Sequence, residues 1–183
     1  MKKFLIILTA LSLCISTAEA ACNFIIKIGD NKSKIVEKIA EPMPMFEGQS
    51  MLPVSSMEIC PNDNLDDDIA IEYIFLGEPE NERLAAIRMV VLNDSKNTLS
   101  DKLILMNYAK KVYGNFDTGS NPKAYNNFKV WDKDKNIIIY KRMFNEEDLI
   151  EEEIYISTKE YDQKLGAFYN KIEMDELKEE LTN

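Results

Sequence analysis

The first twenty residues set the terms for the rest of the chain. Lys2 and Lys3 lead into an apolar run from Phe4 to Ile15, and small residues follow to Ala18-Glu19-Ala20. A basic start, an apolar centre and an A-x-A end define a secretory leader, cleaved after Ala20. Residues 1–20 are therefore read as signal peptide and residues 21–183 as one exported domain. The apolar run is too short to cross a bilayer. No second run of that length follows, so no transmembrane anchor is expected. Lipidation at Cys22 wants an aliphatic residue three places earlier, where Glu19 stands. The short Lys-Lys start points to the periplasm of a bacterium, with full secretion as the alternative.

Export fixes the chemistry open to cysteine. Cys14 leaves with the leader, and Cys22 and Cys60 remain as a pair in an oxidising compartment. Such a pair reads as a structural disulfide. The alternative, a redox-active dithiol, is usually C-x-x-C, a much tighter spacing. Lys2, Lys3 and Glu19 also leave with the leader, which takes the net charge from −10 to −11. So acidic a surface disfavours nucleic acid and anionic lipid, because every phosphate contact needs a cation. It suits a basic protein partner.

Periodicity places the elements. Asn23 to Ile28 is a short apolar run, read as a strand. Asp30 or Ser33 then caps a helix to about Ala40, ended by Pro42 and Pro44. Met43 to Asn64 carries Pro, Ser, Gly and Asn and reads as a long loop. Ile69–Leu76 and Arg83–Leu92 are rich in β-branched and aromatic residues and flank the turn 77–81. They predict an antiparallel hairpin, with helix as the competing reading for 82–88. Thr98 and Asp101 match a capping box, and Leu105, Tyr108, Ala109 and Val112 fall on one helical stripe that ends at Gly114. Residues 117–127 read as polar loop. A second hairpin turns at residues 132–136, Asn145 to Asp148 is a further turn, and residues 153–157 form a strand. Tyr161 to Leu181 closes the chain as a helix. The expected class is α+β, an antiparallel sheet packed by two to three helices in the order β-α-β-β-α-β-β-β-α. Each half runs a helix, then antiparallel strands.

The candidate chemistry is narrow. The chain has no histidine. This removes Ser-His-Asp and Cys-His nucleophiles and every zinc site that uses imidazole. Neither G-x-G-x-x-G nor G-x-x-x-x-G-K-[ST] occurs, so no nucleotide cofactor is expected. Phe116-Asp117-Thr118-Gly119-Ser120 resembles the aspartic protease signature. There a carboxylate pair shares one proton and activates water, and a single copy works in a homodimer. That resemblance makes Asp117 the alternative catalytic residue. In that family the motif follows a strand, whereas here it follows a helix. Ser120-Asn121-Pro122-Lys123 fits S-x-x-K without a companion K-T-G. Asp63, Asp66, Asp67 and Asp68 form an acidic cluster that could hold a cation, although the glycine and glutamate of an EF-hand loop are missing.

Ile28-Gly29-Asp30, the helix from Lys34 to Ile39, and Pro42 resemble a pattern in small envelope proteins of the outer-membrane assembly lipoprotein type. The β-lactamase inhibitor proteins are similar and double a helix-plus-sheet unit. The resemblance implies a non-catalytic role in binding another protein. The expected function is thus an exported inhibitor, immunity or interaction module with an acidic face, needing no cofactor. Its partner is expected to be another envelope or secreted protein of basic character. The alternatives are a carboxylate-based hydrolase at Asp117 and a binder of a small molecule or cation.

Overall fold

A computed structural model describes residues 22–60, 65, 69–91, 103–119, 127–144 and 150–182. In chain order the elements are α1 (Ser33–Val36), β1 (Met43–Phe46), β2 (Gln49–Ser55), α2 (Ser56–Ile59), β3 (Ile69–Leu76) and β4 (Arg83–Val91). There follow α3 (Ile104–Tyr113), β5 (Thr118–Gly119), β6 (Asn127–Lys133), β7 (Asn136–Phe144), β8 (Ile150–Thr158) and α4 (Lys159–Thr182). Every neighbouring pair of strands is antiparallel, and together they make one eight-stranded sheet in the order β1-β2-β3-β4-β8-β7-β6-β5. Each half of the chain is a four-stranded meander. The two meanders meet along β4 and β8, from Ala86 opposite Ser157 to Val90 opposite Glu153.

Strand alternation sends two sets of side chains to two faces. Ile69, Ile71, Tyr73 and Phe75 of β3 point into the main core with Ile138, Tyr140 and Ile154 from the second meander. α1, α2 and α3 close that face with Ile35, Ile59, Leu105, Met106 and Ala109. A bulge lies where Phe75 pairs with Leu84 but Ile74 pairs with Ala86. It gives β4 one extra residue, so Leu84 and Ile87 reach the same core although they are three apart. The other face carries a smaller cluster of Ile74, Ala85, Ala86 and Leu165, and α4 lies over it. Trp131 is wholly buried between the rings of Tyr113 and Phe116, and its Nε1 donates to Gly114 O at 2.9 Å. The indole thus fastens the end of α3 to β6. Gly114 ends α3 with a positive φ of 76°, but its ψ of −146° lies outside the left-handed helical region expected of a C-terminal cap.

The α+β class stands, and the expected order of elements is corrected. Residues 23–28 are irregular rather than a strand. Their donors go to separate acceptors, Asn23 N–H to Ile59 O and Ile25 N–H to the Tyr73 hydroxyl, so no ladder forms. The expected loop after Met43 holds β1, β2 and α2. Pro44 sits on the outermost strand. Pro53 lies beyond the part of β2 that β1 covers, Gln49 to Met51, so its missing N–H breaks no ladder bond to β1. α1 is one turn, with hydrogen-bonded turns running on to Ile39. Asp30 does not cap it; its carboxylate accepts from Lys27 N–H and binds the Lys34 ammonium at 2.6 Å. A two-residue strand, β5, lies inside the expected polar loop. The hairpin of β3 and β4, the hairpin of β6 and β7, and α4 fall close to the expected ranges. The leader, the capping box at Thr98 and Asp101, and the turn at Asn145 to Asp148 lie outside the described residues.

Candidate functional site

The face under α4 is where polar groups gather. Alternation places Glu72 of β3, Arg88 of β4, Lys141 of β7, and Glu151 and Glu153 of β8 on that one side. Arg88 stands among three carboxylates, 3.1 Å from Glu72, 2.9 Å from Glu153 and 3.9 Å from Glu151, and Lys141 reaches Glu153 at 3.3 Å. Arg88 Nε and Glu72 Oε2 have no aligned hydrogen bond despite this proximity, so these contacts are charge on charge. Burial holds the Glu72 carboxyl above its ordinary value, against the pull of Arg88 and with the push of Glu153 and Glu151. Above the cluster, Leu165 packs on Ile74, Ala85 and Ala86, and the small side chains of the two alanines let the helix come close. A pocket of about 390 Å³ remains between sheet and helix, with Ile74, Ile139 and Leu165 as its apolar lining. Gly166 borders this pocket, and a Cβ there would meet nothing within 4 Å.

A larger groove of about 1060 Å³ runs at the end of the sheet, between β1 and the middle of α4. Phe46 of β1 and Phe168 of α4 meet edge to face across it, 6.4 Å between centroids. Lys32 at one side is held by Glu82 at 2.8 Å and Glu41 at 3.2 Å, and the bond to Glu82 raises its ammonium pKa. Gln49 lines the groove and donates Nε2 to the Tyr169 hydroxyl at 2.9 Å. Gln49 Oε1 and Ser50 Oγ are buried with no hydrogen-bond partner among the described residues.

The opposite face hides an ionisable group. Glu152 points under the N-terminus of α3 and accepts hydrogen bonds from the Tyr140 hydroxyl at 2.6 Å and Leu105 N–H at 3.3 Å. Burial pushes its carboxyl up to about 7, although Tyr140, the Leu105 and Met106 amides and Arg142 all favour the charged form. The Tyr140 phenol is raised in turn by burial and by this carboxylate.

The sequence candidates fall as follows. Cys22 and Cys60 form a disulfide, which ties the start of the described chain to the end of α2. Cys22 N–H also donates to the Tyr108 hydroxyl at 3.2 Å, which fastens the same point to α3. Asp117 is exposed at the entry to β5. Its Oδ2 accepts Asp132 N–H at 2.7 Å and lies 3.7 Å from Lys133 Nζ, while its own N–H donates to Val130 O. These bonds pin the loop to β6. The neighbouring Asp132 carboxylate is held by Lys159 at 2.6 Å. Asp63, Asp66, Asp67, Asp68 and the segment Ser120 to Lys123 lie outside the described residues. Among the described residues no group of three or more acidic or cysteine side chains is placed to hold a metal, and no helix is long and apolar enough to cross a membrane.

Sequence reasoning missed Arg88 and its carboxylates, the groove, and Glu152. The available signal was the alternation of Glu151, Glu152 and Glu153 in a strand, which must put neighbours on opposite faces. Comparison with family models, with curated proteins and with solved structures returns no match.

Proposed function

We propose that this chain is an exported, non-catalytic protein-binding module of the periplasm, of inhibitor or immunity type, that engages a basic partner through α4. One observation carries the reading. Leu165 is the sole buried residue in the 24 of α4. Its second half exposes Met174 (55%), Leu177 (50%) and Leu181 (86%). These residues are three and four apart and share one side of the helix. Glu173, Asp175, Glu176, Glu179 and Glu180 surround them, with Lys178 as the basic residue between. An apolar stripe bordered by carboxylates fits a partner whose apolar patch is bordered by lysine or arginine. The net charge of −10 supports the same partner, and the disulfide suits an oxidising compartment. The two joined meanders, each preceded by a helix, support the resemblance to doubled inhibitor proteins.

The test places a benzophenone side chain at position 177, with position 110 on the exposed side of α3 as control. Irradiation of the cells that make the protein is expected to give one adduct with a basic envelope protein at 177 and none at 110. Washing at about 0.5 M salt before irradiation is expected to weaken it, because screening shortens the reach of charge. Absence of an adduct at 177, or equal adducts at both positions, overturns the reading.

A further inference from the structure

We infer that the partner contributes an extended, positively charged peptide segment, and that this segment lies in the groove between β1 and α4. The inference rests on the protein-binding reading above and names where and how the partner is held.

Shape is the first argument. Small-molecule pockets run to roughly 300–1,000 Å³. This groove, at about 1060 Å³, stands at the upper end of that range. Pro42 and, from β1, Pro44 and Phe46, at every second position, line one wall with a single face of the strand. That spacing matches the repeat of a second extended chain. Phe168 of α4 meets Phe46 edge to face, and the two rings offer an apolar surface to the aliphatic stem of a lysine or arginine.

Charge is the second argument. Lys32 is neutralised by Glu82 and Glu41, and Lys164 by Glu160 at 2.7 Å. Glu47 and Glu78 also line the groove and have no ion pair among the described residues; Lys171 stands against the two of them. Four glutamates and three lysines line the groove, a surplus of one negative charge with the same sign as the whole chain, so the favoured occupant is cationic.

Continuity is the third. Met174 and Leu181 follow Ala167 of the groove at successive intervals of seven, two helical turns each, so the groove opens onto the exposed stripe of α4.

The experiment moves the benzophenone side chain from position 177 to position 46 in the full chain and maps the cross-linked partner peptide by mass spectrometry. The expected result is the same partner at both positions, captured at 46 through a segment rich in lysine or arginine. The double variant Glu47→Gln/Glu78→Gln is expected to lower the yield at 46 at least fivefold while leaving the thermal midpoint unchanged. Capture at 177 without capture at 46 overturns the groove and leaves the α4 stripe standing. So does capture at 46 of a neutral or acidic segment, or of a basic one indifferent to the double variant. Failure at both positions overturns the protein-binding reading as well.

Discussion

Glu152→Gln tests whether one buried carboxyl sets the pH dependence of the fold. Glu152 lies under α3 with its proton affinity raised by burial, from 4.5 to about 7. An acid with a raised value keeps its proton in the folded state while the unfolded chain has already lost it. Stability therefore falls as pH rises from about 4.5 to about 7, and the loss is complete above that window. Each tenfold in proton affinity is about 1.36 kcal/mol, which makes the whole effect about 3.4 kcal/mol, of which about 2.5 kcal/mol falls between pH 5 and pH 8. Glutamine keeps an oxygen to accept from Tyr140 or from the α3 amides and cannot ionise. The measurement is urea unfolding of wild type and variant at pH 5 and pH 8, followed by the fluorescence of Trp131. Other carboxylates contribute equally to both proteins and cancel in the comparison. The variant is expected to match the wild type within about 1 kcal/mol at pH 5 and to gain on it by about 2.5 kcal/mol at pH 8. Equal pH slopes, or a variant that loses ground at pH 8, would refute the placement of Glu152 as a buried acid.

Three further outcomes follow from named contacts. Replacing Cys22 and Cys60 together by serine releases a loop of 38 residues and is expected to lower stability by roughly 2–4 kcal/mol in chemical unfolding. Gly119→Ala puts a Cβ 2.5 Å from Phe128 O at a φ of 129°, and a drop of about 1–3 kcal/mol is expected in the same assay. Gly166→Ala is expected to do the reverse: the Cβ meets nothing within 4 Å, so α4 gains helix propensity and the fold about 0.5–1 kcal/mol, read as a higher Tm.

What the sequence disclosed depended on whether local pattern or distant packing decided the outcome. The hairpin of β3 and β4 was legible because β-branched and aromatic residues gather on both sides of the turn at residues 77–81, a local signal. The stripe of α3 was legible for the same reason, at a period of 3.6. β1 and β2 were not, because Pro44 and Pro53 read as breakers unless the sheet edge is known, and an edge is a property of the assembled sheet. Residues 23–28 failed the other way. They are apolar because Ile26 enters the core, not because they join a ladder. The run Glu151-Glu152-Glu153 reads as solvated surface in one dimension. In the sheet it divides, the outer two facing Arg88 and the middle one enclosed beneath α3. The groove was invisible for a like reason: its two walls, Phe46 and Phe168, come from opposite ends of the chain.

The seam between the two meanders has a consequence for assembly. Ser157 Oγ donates to the Ala85 carbonyl across 72 residues of chain, so β4 keeps an open edge until the last strand has been made. The disulfide, by contrast, closes wholly within the earlier half. A nascent chain can thus close the loop that holds β1 and β2 covalently while the first meander still displays, in β4, an unpaired strand of alanine, isoleucine, methionine and valine. The interval before β8 arrives is the period when this protein is most exposed to stray pairing, and it is there that a holdase chaperone would have most to protect.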